Sequence, residues 1–324
     1  MTPAQLSRTV LDTVRRAVED GALDVAAGGL PEHVVVESPP RRGHGDYALN
    51  VAFRLAGGGS PGGCAGSGTP APEVARVLGD RLREQPGIGG VRVEGGGFLN
   101  VTLDAAGRAA LLSELTRRRF PATPDDPAAD IARWSAATGD DPAALAVRTL
   151  RSSGLFRVQY AHARTYAILR SARELGLWDG HRRGTGAGPY VRAEPEHEPE
   201  PGPLAESEPE SGPASGWEPE YEPEPAARAL LALLADHARL AERAADAGTG
   251  ARRTPGAEAR LRHARHLEAI ASAFFDVYEQ CPPLPCGDEK PSAAHRARLA
   301  LVEATGAVLA GGLSQLGVTA PAHL

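Results

Sequence analysis

The stretch Val158-Gln159-Tyr160-Ala161-His162-Ala163-Arg164 lies inside a helical pattern running from Leu155 to Gly176. Leu155, Val158 and Ile168 can point inward, as the 3.6-residue period allows. Arg157 and Arg164 are two turns apart and share a face, and Tyr160 sits one turn before Arg164. A flat ring beside a guanidinium suits the unstacked bases of an RNA loop, each stack contributing ~1–3 kcal/mol. From spacing alone the plainer reading is favoured: Tyr160 and His162 pack between helices and Arg164 is solvated.

Working outward, the chain divides into two regions. In the first, Thr2 caps a helix that Pro3 opens, with Leu6, Val10, Val14, Ala17 and Val18 as its apolar stripe. His33 to Glu37 is expected as a strand, Asp46 to Ala56 and Pro72 to Gln85 as helices, and Gly57 to Pro72 as a loop. Val91–Glu94 and Phe98–Leu103 are expected as strands about Gly95-Gly96-Gly97, with a closing helix from Ala105 to Arg118. Residues 1–118 therefore predict an α+β domain, a small sheet with helices on it.

Residues 119–140 hold Pro121, Pro124, Pro127 and Gly139 and are expected as a linker. Residues 141–324 predict an all-α bundle with helices over Leu155–Gly176, Ala226–Asp246, Ala257–Gln280 and Ser292–Leu316. It is interrupted by a Gly- and Glu-Pro-rich insertion, 181–225, expected to be disordered because it has too little apolar surface to bury.

The net charge of -6 divides unevenly. Glu194 to Pro225 contains 11 Glu and no Lys, Arg or Asp, so the rest of the chain carries 30 acidic against 35 basic residues. A basic body with an acidic segment suits a polyanionic partner. A GC-rich genome explains most of the bias, since Lys290 is the one lysine amid plentiful Ala, Gly, Pro and Arg. The acidic segment reads as a solvated surface insertion. A sharper alternative has it compete with RNA for the basic face, Trp217 and Tyr221 mimicking bases. Three cysteines are too few for a disulfide framework and fit a reducing cytoplasm. Cys281 and Cys286 find no second cysteine or histidine pair, so no metal is expected. No apolar run approaches the roughly 18 residues of a membrane span, and the first residues do not form a secretory signal.

V-Q-Y-A-H-A-R resembles the signature helix of the anticodon-binding (DALR) domain of arginyl-tRNA synthetases. Ala300–Ala304 through Gly317–Pro321 resembles that family's last helix and C-terminus. Near the other end, Gly45-Asp46-Tyr47-Ala48-Leu49-Asn50 is similar to the family's G-D-Y-x-x-N, and Gly96-Gly97-Phe98-Leu99-Asn100 to its G-P-G-F-L-N. The resemblance implies a DALR-type bundle holding the anticodon arm of arginine tRNA, and an N-terminal domain touching the tRNA elbow. It implies tRNA contacts at Phe98, Asn100, Arg157, Gln159, Tyr160 and Arg164. Phe98 and Asn100, two apart in a strand, would offer a ring and an amide on one side. Arg157 stands where the family usually has an aromatic, implying a phosphate contact instead of a stack. Leu324 stands where the family usually has Met.

The family's catalytic motifs are missing. No H-I-G-H occurs, K-M-S-K-S needs two lysines where the chain has one, and Lys290 follows no Gly-rich phosphate loop. Similarity would suggest an arginine–tRNA ligase; the residues predict no catalytic site, no cofactor and a cytoplasmic, noncatalytic tRNA-binding protein, with no DNA or membrane partner. Two rivals stay open: a protein-interaction scaffold that retains the fold without binding RNA, and the tRNA-binding subunit of a split ligase. A tRNA-dependent enzyme is the protein partner expected.

Overall fold

The computed structural model describes residues 1–25, 29–39, 45–57, 68–117, 126–180, 221–247 and 256–324. Helix α1 (Pro3–Glu19) starts with a capping box in which Thr2 and Gln5 satisfy each other's backbone N–H groups. After it come strands β1 (Val36–Glu37) and β2 (Tyr47–Leu49), helices α2 (Val51–Leu55) and α3 (Ala71–Leu82), strands β3 (Ile88–Glu94) and β4 (Phe98–Leu103), and helix α4 (Ala105–Arg117). The four strands form one antiparallel sheet in the order β1-β2-β4-β3. Leu6, Val10 and Val14 of α1, Val74, Leu78 and Leu82 of α3, and Leu99, Val101 and Leu103 of β4 join the buried core.

Tyr47–Leu49 corrects the expectation of a helix from Asp46. These three residues pair with Leu99–Val101 of β4, and the Asp46 carboxylate accepts the Leu103 N–H at 2.7 Å. Gly45 makes that approach possible. Its φ is +115°, and a Cβ there would lie 2.9 Å from the Val101 carbonyl oxygen.

The second region contains α5 (Pro127–Thr138), α6 (Pro142–Ala146), α7 (Gly154–Glu174), α8 (Pro225–Ala247), α9 (Ala257–Gln280) and α10 (Ala293–Gln315). Helix α5 occupies much of the stretch expected as linker. Asp126 caps it, Pro127 opens it, Gly139 closes it in the left-handed conformation, and Trp134 is fully buried. Helix α10 packs against α7, α8, α9 and also α4, joining the two regions. Its length and apolar composition would suffice to cross a membrane, but 72% of its most apolar window is buried inside the protein, as in a core helix.

The Glu-Pro-rich insertion falls largely outside the described residues, Trp217 included. Its last residues do not follow the expectation of disorder, because they meet the half-buried Arg298 and the buried Arg108. Glu224 accepts hydrogen bonds from Arg298 and from the Tyr221 hydroxyl, and Glu222 lies 3.8 Å from the buried Arg108.

Three histidines meet where α8 packs on α9. The ring of His237 stacks on His266 at 5.8 Å and lies 6.0 Å from His263. Burial lowers the His266 pKa to about 4, with His263 and Arg239 acting in the same direction and Asp236 opposing. Burial also lowers His263 and His162. The unfolded chain thus binds more protons than the fold below about pH 6.5, so stability falls as pH drops through that range toward 4. The midpoint of thermal unfolding should decrease from pH 7 to pH 5, with a smaller decrease in His266→Asn. An unchanged decrease in that variant would contradict the assignment.

Candidate nucleic-acid interface

Helix α7 is placed by its own cap and by a buried carboxylate. Ser153 accepts the Phe156 N–H, and its hydroxyl donates to the Leu145 carbonyl at 3.2 Å. Asp130 of α5, 2% exposed, accepts the Thr319 N–H at 3.0 Å and the Gln159 amide at 3.1 Å. The same Gln159 amide donates to the Thr319 carbonyl at 3.0 Å. His162, buried, donates from Nδ1 to the Pro321 carbonyl at 2.8 Å, and Arg133 holds the Gly317 carbonyl at 2.8 Å. The segment after α10 is thereby tied along α7 and α5.

Phe156, Tyr160 and Arg164 follow one another at four-residue intervals on α7 and meet Phe275 and Tyr278 of α9. Tyr160 stacks on Phe156 at 5.6 Å and on Phe275 at 5.8 Å. The Arg164 guanidinium lies 4.7 Å from the centre of the Tyr278 ring and donates to its hydroxyl. All five side chains are half-buried, so the edges of this ladder face solvent. Beside it, α5, α6, α7 and the final residues enclose a pocket of about 190 Å³, lined by Ile131, Arg148, Phe156, Gln159 and His323 among others.

The six residues expected to touch tRNA are therefore divided. Tyr160 and Arg164 share the ladder. Gln159 has its amide engaged between Asp130 and Thr319. Arg157, expected to share a solvent face with Arg164, instead donates to the Leu150 carbonyl at 2.8 Å and the Arg151 carbonyl at 3.5 Å. In the N-terminal region Phe98 is 41% exposed and packs edge-on against Phe53 at 4.9 Å. Asn100 is 2% exposed. Its amide donates to Glu94 at 3.1 Å, and its carbonyl oxygen is buried without a hydrogen-bond partner among the described residues. Sequence reasoning did not single out Phe156, Arg148, Phe275 or Tyr278. The four-residue step from Phe156 to Tyr160 was the available signal. Among the described residues, no group of three His, Cys, Asp or Glu could hold a metal ion.

Residues 5–103 match the family described as the arginyl tRNA synthetase N terminal domain, and residues 204–324 match the DALR anticodon binding domain. The chain is an arginyl-tRNA-synthetase-related protein with these two domains. It is 40% identical over 111 residues to the arginine–tRNA ligase of Pseudarthrobacter chlorophenolicus, covering 34% of this chain and 19% of that protein. It is 46% identical over 112 residues to the Frankia alni ligase, covering 34% and 18%. The matched part thus spans about a fifth of the length of these synthetases. The solved Thermus thermophilus arginyl-tRNA synthetase aligns with 66% of this chain and 32% of that one, at 21% identity and a TM-score of 0.34. The small sheet with its helices and the helical DALR region are the two parts the synthetase families describe.

Asp130→Ala would leave Gln159 and Thr319 without their shared acceptor. It should cost about 1–3 kcal/mol of unfolding free energy in denaturant titration, and proteolysis should release the residues after Gly317 first. A variant as stable as the parent would show that water replaces the carboxylate.

Proposed function

We propose that this synthetase-related chain binds tRNA, arginine tRNA foremost, at the elbow and anticodon arm, and performs no aminoacylation of its own. The single observation that carries this is the α7–α9 ladder. There a guanidinium and partly exposed aromatic edges lie beside a pocket, on a helix that packs against α9, itself within residues 204–324, which match the family described as anticodon binding. Such a surface suits single-stranded loops, whose unstacked bases stack on rings while arginines meet phosphates. Phe98, exposed at the end of β4 against Phe53, supports a second contact at the elbow. Asn100, Arg157 and Gln159 act in this reading through the shape they give the protein, since their side-chain donors are engaged inside it. The noncatalytic part rests on the sequence, which has no H-I-G-H and too few lysines for K-M-S-K-S. A cytoplasmic setting and a tRNA-dependent enzyme partner belong to the same proposal.

Purified protein should bind arginine tRNA more tightly than other tRNAs, with affinity falling as salt rises. Tyr160→Ala and Arg164→Ala should each weaken binding about tenfold, in keeping with ~1–3 kcal/mol per stacked base. Filter binding across a salt series reads this directly. No binding to any tRNA would favour the scaffold reading, and charging of tRNA after addition of a separate catalytic subunit would favour the split ligase.

A further inference from the structure

Helix α4 is buried over more than half of its circumference. At about 100° per residue, its covered positions run from Leu111 and Leu115 through Arg108 and Leu112 to Thr116 and Ala109. The cause is that α4 packs on β4 of the sheet and on α10 of the bundle. It is the wall that the two regions share. A second seam forms where α1 and β1 meet α8, and there the Ser38 hydroxyl donates to the Asp236 carboxylate.

One charge in the shared wall is poorly served. Arg108 is 6% exposed, and its Nε has no hydrogen-bond partner among the described residues. Asp46, which precedes β2, lies close enough for this charge to act on its carboxyl group. Among the described residues the ion pair of Arg108 is with Glu222, at 3.8 Å. Glu222 belongs to residues 221–224, the end of the Glu-Pro-rich insertion, and the bundle holds that end in place. Arg228 of α8 donates to the Pro223 carbonyl at 2.9 Å. Arg298 of α10 donates to the Glu224 carboxylate, which also accepts the Tyr221 hydroxyl. Glu222 and Glu224, two residues apart, therefore pair with arginines of opposite regions.

We propose that residues 221–224 are an ionic staple: Glu224 fastens them to α10, Glu222 neutralises Arg108 on α4, and the sheet region and the bundle are thereby held as one rigid body. A guanidinium left without a counterion in so covered a place draws water, and water enters only if α4 and α10 part. Because the Glu222 side chain is 80% exposed, its attraction is open to screening, and the staple is sensitive to ionic strength. The acidic end of the insertion then acts as a strut and not as a mimic of RNA. One consequence rests on the tRNA-binding reading. A rigid body presents Phe98 and the α7 ladder at one separation, and little conformational freedom is lost when a ligand touches both.

Hydrogen–deuterium exchange of the full chain at low salt, without RNA, tests the staple by comparing the parent with Glu222→Gln and Glu222→Gln/Glu224→Gln. Exchange of native amides follows the local opening equilibrium. Glu222→Gln should speed exchange about threefold in α4 and in the turns of α10 against it, as one screened ion pair implies. The double variant should speed it further, while α7 keeps its parental rate. Faster exchange confined to residues 221–230, with α4 unchanged, would make the contact a local anchor and overturn the staple. The parent alone supplies a second arm that no misfolded variant can spoil. At about 1 M salt, where the Debye length is about 3 Å, its α4 should exchange about threefold faster relative to α7. In the double variant the same salt should add nothing. An α4 indifferent to salt in the parent overturns the proposal whatever the variants do. Since neither arm contains RNA, the staple can fail with tRNA binding intact, and tRNA binding can fail with the staple intact.

Discussion

One buried carboxylate holds the candidate interface together. Asp130 reaches from α5 to the backbone and hydroxyl of Thr319 and to the amide of Gln159. A carboxyl group that far from water is tolerable only when its oxygens are hydrogen-bonded, and here three donors engage both of them. The consequence is spatial. With Gln159 and Thr319 fixed, His162 can reach Pro321 and the last residues close one side of the pocket. The ladder on α7 then has a fixed neighbour instead of a loose chain end.

Sequence made some of this plain and hid the rest for identifiable reasons. The β3–β4 hairpin was visible because three glycines separate two β-branched runs, and all three adopt positive φ. The long amphipathic helices were visible because their period is sustained over many turns. Strand β2 was not, since three residues carry little periodic signal and their partner β4 lies about fifty positions away. Helix α5 was obscured by the prolines around it, although Pro127 stands where a proline opens a helix.

At the interface the same contrast holds. The V-Q-Y-A-H-A-R run singled out α7, and Tyr160 and Arg164 do occupy one face of it. The setting of Arg157 was not legible because its partners are backbone carbonyls six and seven residues earlier, brought close by a turn that no side-chain pattern announces. Asn100 could not be placed by alternation alone. Period two says which side of the strand it takes but not that the side is covered. Composition likewise suggested a basic body, yet which arginines remain available depends on the pairing of each.

The anchored end of the acidic insertion has a practical meaning for anyone redesigning this chain. Tyr221 and Glu224 are fastened to Arg298, whose side chain is only 16% exposed, and burial alone would push the Glu224 carboxyl upward. The bonds from Arg298 and Tyr221 outweigh that burial and hold its pKa below the ordinary value. An excision that runs through residue 225 strips a half-hidden guanidinium of its counterion and removes the proline that opens α8. A cut placed between Gly180 and Tyr221 leaves both intact. The compositional edge of the acidic segment and its structural edge therefore differ by several residues, and the second is where a shortened or fluorescently tagged version should be joined.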